Sequence, residues 1–315
     1  MKPVRAVVFA YHDVGVRCLQ VLLARGVEVA LVITHADNPT ETIWFASVAA
    51  LCAERGIPCI MPADPTSAAL LAQVQAARPD MLFSFYYRHM LPLTLLQSAP
   101  LGAFNMHGSL LPKYRGRVPV NWAVLHGETE TGATLHEMVA KPDAGAIIAQ
   151  TAVPILPDDT ASQVFAKVVV AAEQTLWRVL PQMLAGTIPR LPNDLAQGGY
   201  FGGRSADDGR IDWSQPAQAV YNLVRAVAPP YPGAWTMLGA QRCVVAKARL
   251  HAVGATGEIA ERQSNLAGGL AVVDNCMFGI CGDGRALQIH ELRIDDLPVT
   301  PAALAILLTA QATAT

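Results

Sequence analysis

The first two hundred residues alternate strand-like and helix-like segments, and this alternation limits the fold more than any other feature of the chain. Val4–Ala10 is a short apolar run of the kind buried on both faces of a sheet. Val14–Arg25 then places apolar residues at helical spacing, and Gly26 predicts the helix end. The same rhythm continues through five more segments: Val29–Thr34, Thr42–Arg55, Ile57–Met61, Ser67–Ala77 and Met81–Phe85. It predicts a Rossmann-like α/β domain, in which helices flank a mostly parallel sheet.

The second part of the chain has a different character. A helix is predicted from the caps Asp159 and Thr160 to about Leu184, with Pro181 in its last turn. A glycine-rich stretch at 198–208 follows, and beyond it short strands alternate with glycine turns. We therefore predict two domains: a Rossmann-like catalytic domain over 1–203 and a smaller β-rich domain, barrel-like or OB-like, over 204–315.

Composition removes several classes of function. The chain has 315 residues, of which 52% are hydrophobic and 15% charged, and this excludes extensive disorder. Its formal net charge of −2 does not indicate a nucleic-acid-binding surface. Six scattered cysteines without a Cys-x-x-Cys pair predict reduced thiols in a cytoplasmic protein. No stretch has the pattern of a membrane span, and Leu297–Thr315 favours a terminal surface or interface helix.

The motifs of several large enzyme classes are absent from the sequence. The first predicted βα turn, Ala10–Gly15, lacks the Gly-x-Gly-x-x-Gly pattern that binds a dinucleotide. The chain also has no P-loop, no Gly-x-Ser-x-Gly elbow and no His-Glu-x-x-His pair. We therefore expect neither NAD nor a metal ion as a cofactor.

The densest polar segment of the chain is 104–117. Ala103–His107 reads as the end of a strand, where alternation puts Asn105 and His107 on the same face. Open α/β sheets bind ligands at the carboxyl ends of their strands. Asp143 lies in a predicted turn between two strand-like runs, from which it could reach the histidine. Taken singly, such a histidine is usually structural and such an aspartate a turn former.

The combination of these residues resembles the formyltransferases that use 10-formyltetrahydrofolate. That family carries Asn-x-His-Gly-Ser-Leu-Leu-Pro-x-x-Arg-Gly and a distant Asp-x-Gly, and the chain matches both motifs from Asn105 to Gly116 and from Asp143 to Gly145. The stretch from Asp212 to Ala234 also resembles the family's second domain.

This resemblance implies a role for particular residues. Asn105, His107 and Asp143 would be catalytic: the amide would stabilise an oxyanion, the imidazole would move a proton and the carboxylate would orient the ring. Tyr11 and His12 would contact the acceptor substrate. The folate donor would bind at three places: His89, Met90 and Leu91; Arg117; and Val139, Ala140, Lys141, Pro142 and Asp143.

The acceptor remains open between several alternatives. A tRNA-binding domain should be basic, but from Arg204 onward the chain has nine Lys and Arg against ten Asp and Glu, a net charge of −1. Segments such as Phe9–Asp13 and Phe83–His89 resemble the family's branch that formylates nucleotide-linked amino sugars. A nucleotide-sugar acceptor is therefore favoured over tRNA, over hydrolysis of the donor and over a non-catalytic binding module. A homo-oligomer is compatible with the sequence. Some members of this branch carry a fused dehydrogenase, which we do not expect in a chain that ends at 315 without a second Rossmann unit.

Overall fold

The computed structural model of the protein describes residues 3–39, 41–251 and 269–312. The described chain forms two compact units. The first unit is built from three stretches: the residues up to Val120, Glu130–Pro154 and Phe165–Gly202. The second unit is built from Asn121–Thr129, Ile155–Val164 and the described residues from Gly203 onward. The limits 1–203 and 204–315, expected from the sequence, remain a proposal.

A seven-stranded mixed sheet forms the centre of the first unit. The strands are β1 (Arg5–Ala10), β2 (Glu28–Ile33), β3 (Cys59–Ile60), β4 (Met81–Phe85), β5 (Ala103–His107), β7 (Glu130–Glu137) and β8 (Ile147–Pro154). Their order in the sheet is β3-β2-β1-β4-β5-β7-β8, and all pairs are parallel except β5–β7 and β7–β8. The mostly parallel sheet predicted from the sequence is thus confirmed. A separate two-stranded parallel pair joins β6 (Arg115–Gly116) to β9 (Tyr200–Phe201).

The helices begin and end close to their predicted limits, with one exception. The helix expected from Thr42 begins only at Val48, because Ser47 is extended and its hydroxyl accepts the Ala50 N–H as an N-cap. The residues before Ser47 form a loop instead, so this prediction was wrong for its first six positions. The first six helices in chain order are α1 (His12–Ala24), α2 (Val48–Arg55), α3 (Ala68–Ala77), α4 (Leu93–Leu96), α5 (Pro119–Leu125) and α6 (Ala161–Leu184).

The register of the sheet brings the carboxyl ends of three neighbouring strands together at one edge. Ala10 pairs with Phe85 and Phe85 pairs with Met106, so β1, β4 and β5 end side by side. β2 lies on the opposite side of β1 from β4, so the strand order reverses at β1. An open α/β sheet binds its ligands at such a carboxyl edge.

The second unit is built around an antiparallel sheet. Its strands are β10 (Ala234–Leu238), β11 (Gln241–Leu250), β12 (Leu270–Val273), β13 (Cys276–Ile280), β14 (Ala286–Ile294) and β15 (Leu297–Pro298). They pair in the order β10-β11-β14-β13-β12, with β15 on β14, which confirms the smaller β-rich unit expected after the glycine-rich stretch. Helices α7 (Ala217–Val227) and α8 (Pro301–Ala312) complete the described part. The last three residues of the expected terminal helix lie outside the described residues. Within the described ranges, no helix combines the length and the hydrophobicity needed to span a membrane.

Candidate active site

The end of β5 carries the two polar residues predicted to act together. Asn105 and His107 are two positions apart in the strand, and strand alternation puts them on one face. Asn105 pairs in register with His136 of the antiparallel neighbour β7, and His107 pairs with Thr134. His107 is 6% exposed. A histidine buried to this extent is held in one orientation by its contacts.

Hydrogen bonding defines which nitrogen of His107 is basic. Nε2 lies 2.7 Å from the Tyr114 carbonyl oxygen. Because a carbonyl oxygen only accepts, Nε2 carries the proton of the neutral ring. Nδ1 is left with its lone pair and lies 3.6 Å from Asp143 Oδ1. The ring therefore presents a basic nitrogen beside a carboxylate that stabilises it once it becomes protonated.

Asp143 is held from three sides in the turn between β7 and β8. Its Oδ2 accepts the Gly116 N–H at 2.8 Å, and its Oδ1 lies 3.3 Å from His136 Nε2. Its backbone is left-handed, with φ 48°, a conformation that aspartate tolerates better than most residues. Asn193 fixes the turn by donating to the Asp143 and Gly145 carbonyl oxygens. The structure thus brings Asp143 to the histidine of β5 across 36 residues of sequence.

The electrostatics of the pair follow from burial and from these contacts. Burial lowers the pKa of His107, and the Asp143 charge and the Tyr114 carbonyl offset only part of that effect. Burial alone would raise the pKa of Asp143, but His107, the contact with His136 and the Gly116 N–H hold that pKa well below its usual range. The resting pair therefore consists of a neutral imidazole and an ionised carboxylate.

His136 belongs to the same cluster and was missed by the sequence analysis. Its side chain is 2% exposed, and its Nδ1 donates to the Glu137 carbonyl oxygen at 2.8 Å. In the neutral ring Nε2 is therefore an acceptor for the Asn105 amide N–H, 3.1 Å away. In the protonated ring the same Nε2 donates towards Asp143 Oδ1, 3.3 Å away. Only the register of β5 against β7 puts His136 beside Asn105, and the sequence does not show that register.

The loop after His107 is fastened to the sheet by side chains of the antiparallel strands. Thr134 Oγ1 donates to the Ser109 carbonyl oxygen and accepts the Leu111 N–H, at 2.6 and 3.1 Å. Gln150 donates to the Leu111 carbonyl oxygen at 2.8 Å, and the Ser109 hydroxyl donates to the Lys113 carbonyl oxygen at 2.6 Å. These bonds fix the loop that carries the Tyr114 carbonyl, and hence the orientation of the His107 ring.

The residues predicted to bind the donor lie on segments that leave the sheet near this cluster. Leu91 is buried in a core cluster of the first unit, and Met138 is half-buried against the same cluster. Met90 and Val139 are 56% and 41% exposed and offer apolar surface for a flat ring. The remaining predicted positions are exposed (His89, Arg117, Ala140 and Lys141) or half-buried (Pro142). Their assignment to the donor remains a proposal.

Tyr11 and His12 lie at the carboxyl end of β1, among aromatic side chains. The Tyr11 hydroxyl donates to Asp37 at 2.8 Å, and the His12 ring stacks on Phe45 with centroids 3.9 Å apart. Burial, with a smaller effect of Arg88, lowers the pKa of His12 to about 3, so this ring is neutral. Both side chains are thus held in place at the edge that also carries His107, and their contact with an acceptor remains a proposal.

Among the residues that the structure describes, no group of three or more His, Cys, Asp or Glu side chains is arranged to hold a metal ion. The six cysteines are free thiols, of which Cys59 and Cys276 are half-buried and the others buried.

A mostly parallel sheet with a buried imidazole, a carboxylate and an amide at its carboxyl edge defines the chain as an α/β enzyme. Its sequence matches the family described as formyl transferase over residues 9–180 and the family described as formyl transferase, C-terminal domain, over residues 204–303. The chain belongs to the formyl transferase family.

Solved structures of other formyltransferases share this fold. The N-formyltransferase from Helicobacter canadensis, in complex with folinic acid and dTDP-3-aminofucose, is 18% identical, with a TM-score of 0.68 over 91% of this chain and 98% of that one. WlaRD, a sugar 3N-formyl transferase studied with dTDP and 5-N-formyl-THF, is 17% identical, with a TM-score of 0.69 over 94% and 100%. HypX from Aquifex aeolicus, in complex with tetrahydrofolic acid, is 18% identical, with a TM-score of 0.63 over 95% and 46%.

Proposed function

We propose that the chain transfers the formyl group of 10-formyltetrahydrofolate to the 4-amino group of UDP-4-amino-4-deoxy-L-arabinose. The product would be the UDP-4-formamido sugar used in lipid A modification and polymyxin resistance. Support for a folate donor and a nucleotide-sugar acceptor comes from the family and from the ligands named for the H. canadensis enzyme and WlaRD. Support for this particular sugar comes from the segments Phe9–Asp13 and Phe83–His89, which resemble the enzyme that formylates it.

One observation carries the proposed chemistry: the basic Nδ1 of His107 lies 3.6 Å from the Asp143 carboxylate in a buried site. Formyl transfer forms a bond between the acceptor nitrogen and the formyl carbon and breaks the bond from that carbon to N10. The attacking amine must lose a proton, and the departing N10 must gain one. His107 Nδ1 accepts the first proton, becomes an imidazolium beside Asp143, and then delivers the proton to N10.

Asn105 supplies the second requirement, stabilisation of the tetrahedral oxyanion. One of its amide N–H groups is directed to His136 Nε2, and the other remains for the formyl oxygen. Because His136 is itself fixed by the Glu137 carbonyl, the amide is oriented before the substrate arrives. A donor oriented in advance costs no reorganisation at the moment of reaction.

The test is a transfer assay with the purified chain, 10-formyltetrahydrofolate and UDP-4-amino-4-deoxy-L-arabinose. Release of tetrahydrofolate is followed together with the mass of the formylated sugar nucleotide. Parallel reactions contain a dTDP-linked 3-amino sugar, charged initiator tRNA, or no acceptor. We expect rapid turnover with the UDP sugar and only slow tetrahydrofolate release without an acceptor. Faster transfer to the dTDP sugar would move the proposal to another amino sugar, and release independent of any acceptor would make the chain a hydrolase.

Transfer to methionyl-tRNA is the second candidate, since that enzyme shares the catalytic motif. The net charge of −1 from Arg204 onward makes a tRNA substrate less favoured, because a domain that binds a polyanion needs clustered cations. Efficient formylation of charged initiator tRNA in the same assay would reverse this order.

A further inference from the structure

Arg115, the first residue of β6, is a buried cation for which the described residues provide no counter-ion. Only 7% of its surface is exposed, and its Nε is buried without a hydrogen-bond partner. Across the described ranges of the chain, no carboxylate lies within ion-pair distance of its guanidinium, and no side-chain hydrogen bond is formed by it. Burying an unpaired charge is costly, so such a group calls for a physical explanation.

The position of Arg115 is set by the residues that hold the proposed catalytic pair. The preceding carbonyl, of Tyr114, binds His107 Nε2, and the following N–H, of Gly116, binds Asp143. The N–H of Arg115 itself donates to the Gly199 carbonyl oxygen at 3.0 Å. The backbone on both sides of Arg115 is therefore fixed, and its side chain starts within one residue of both contacts.

The charge of Arg115 does not serve the histidine–aspartate pair. The groups that shift the pKa of His107 are Asp143, the Tyr114 carbonyl and His136, in addition to burial. Those that shift the pKa of Asp143 are the two histidines and the Gly116 N–H, again in addition to burial. Arg115 contributes to neither, so its cation is available for a different purpose.

Arg225 provides the internal comparison. It is buried to a similar extent, with 5% of its surface exposed. Its Nε also lacks a partner, but its two Nη atoms donate to the Asp159 carbonyl oxygen at 2.9 Å and to Asn222 Oδ1 at 2.7 Å. A buried arginine with a structural task in this protein thus has its acceptors within the protein, and Arg115 lacks them among the described residues.

We propose that Arg115 binds an oxyanion of a substrate in the active site. This inference rests on the proposed function, which offers two such groups: the diphosphate of the nucleotide sugar and the glutamyl carboxylates of the folate. Both match a planar guanidinium, which donates two parallel hydrogen bonds to an oxyanion. The bound substrate then supplies the counter-charge that the part of the chain described by the structure does not provide.

The experiment measures binding without turnover, by titration calorimetry with UDP, uridine and folinic acid. Arg115→Met removes the charge and keeps approximately the length of the side chain. Arg115→Lys keeps the charge but loses the planar group that donates two parallel hydrogen bonds. Arg55→Met is the matched control, because it removes the same charge from a side chain that is 56% exposed. A lost charge-assisted hydrogen bond corresponds to affinity about 10- to 100-fold weaker.

We expect Arg115→Met to weaken the binding of either UDP or folinic acid by this factor and to leave the binding of uridine unchanged. Weaker binding of UDP identifies the diphosphate as the oxyanion, and weaker binding of folinic acid identifies the carboxylates. Arg115→Lys should show a smaller loss for the same ligand, and Arg55→Met none. Unchanged affinity for both UDP and folinic acid in a folded Arg115→Met protein overturns the inference, as does an equal loss for uridine and UDP. If Arg115→Met fails to fold, a folded Arg115→Lys protein with wild-type affinities overturns it instead.

These outcomes are distinguishable from failure of the proposed function. A wild-type chain that binds UDP and folinic acid but formylates a different amine contradicts only the proposed acceptor. Normal transfer to the UDP sugar combined with unchanged binding in Arg115→Met contradicts only the role of Arg115.

Discussion

Replacing Asp143 by asparagine tests the proposed proton transfer most directly. The substitution keeps the shape of the side chain and removes its charge. In the native protein that charge lies 3.6 Å from His107 Nδ1 and 3.3 Å from His136 Nε2, and it accepts the Gly116 N–H. The amide oxygen of the introduced side chain would still accept that N–H, so the turn between β7 and β8 should remain folded.

The expected loss follows from the distance and the burial of the pair. Two unit charges about 4 Å apart interact by about 4 kcal/mol at an effective dielectric constant of about 20. That interaction is present only after His107 becomes an imidazolium, so its loss raises the barrier by at most this amount, or about 10³-fold in rate. Removing a positioned proton-transfer group costs about 10²–10⁴-fold. We therefore expect kcat for Asp143→Asn to fall by about 10²- to 10³-fold.

The pH dependence gives the sign of the effect. Burial lowers the pKa of His107 and the Asp143 charge raises it, so Asp143→Asn lowers this pKa further. The neutral ring is the working base in the free enzyme. The acidic limb of the kcat/KM profile should therefore move to lower pH, while the plateau falls.

The assay is steady-state formyl transfer over a range of pH, with folinic acid binding measured separately. Asp64→Asn is the matched control, because it makes the same chemical change at an exposed position. A kcat within about threefold of wild type, or an acidic limb that moves to higher pH, would refute the assignment of Asp143.

Three further predictions test neighbouring parts of the site. A Cβ on Gly108 would overlap the Tyr86 hydroxyl and lie 3.0 Å from its Cζ, so Gly108→Ala should lower stability by about 1–3 kcal/mol and reduce kcat. Tyr86→Phe in the same protein should restore part of both losses, and denaturant melts and kinetics that show no rescue would contradict the contact. His136→Ala should lower kcat about 10²- to 10³-fold while folinic acid binding persists, because Asn105 loses the acceptor that orients it. An unchanged kcat would show that His136 only packs in the core. Burial lowers the pKa of His12 to about 3 in the folded state, whereas the unfolded chain keeps the ordinary histidine value of about 6.5. Between these two pKa values the free energy of unfolding falls by about 1.4 kcal/mol for each pH unit by which the pH is lowered. His12→Phe removes this titration, so the melting temperature of the variant should change less than that of the wild type between pH 6.5 and 5. An equal slope in both proteins would show that His12 is protonated in the fold.

Local patterns were sufficient for most of the fold and for part of the site. Short apolar runs matched β1 and β4 within about one residue, because both faces of a parallel strand are buried and its whole sequence is apolar. Helical spacing closed by Gly26 matched α1 within about two residues. The start of α2 was the exception, since the N-cap at Ser47 decides where the helix begins and the residues from Thr42 to Ala46 precede it. Asn105 and His107 could be paired from the sequence because strand alternation is a local rule.

The remaining parts of the site depend on contacts between segments far apart in the sequence. His136 joins Asn105 through the register of an antiparallel pair, which packing across the sheet determines. The proton on His107 Nε2 is assigned by the Tyr114 carbonyl, which lies in a loop held by Thr134. The sequence shows that residue 115 is an arginine, but only the folded structure shows that this arginine is buried and that its Nε has no partner. Burial and hydrogen bonding are properties of the folded chain and cannot be read from a single residue. The amino-acid sequence by itself thus determined the family, the strand end and the residue types of the site, whereas the tertiary structure alone decided which groups meet, which nitrogen is basic and which charge lacks a partner.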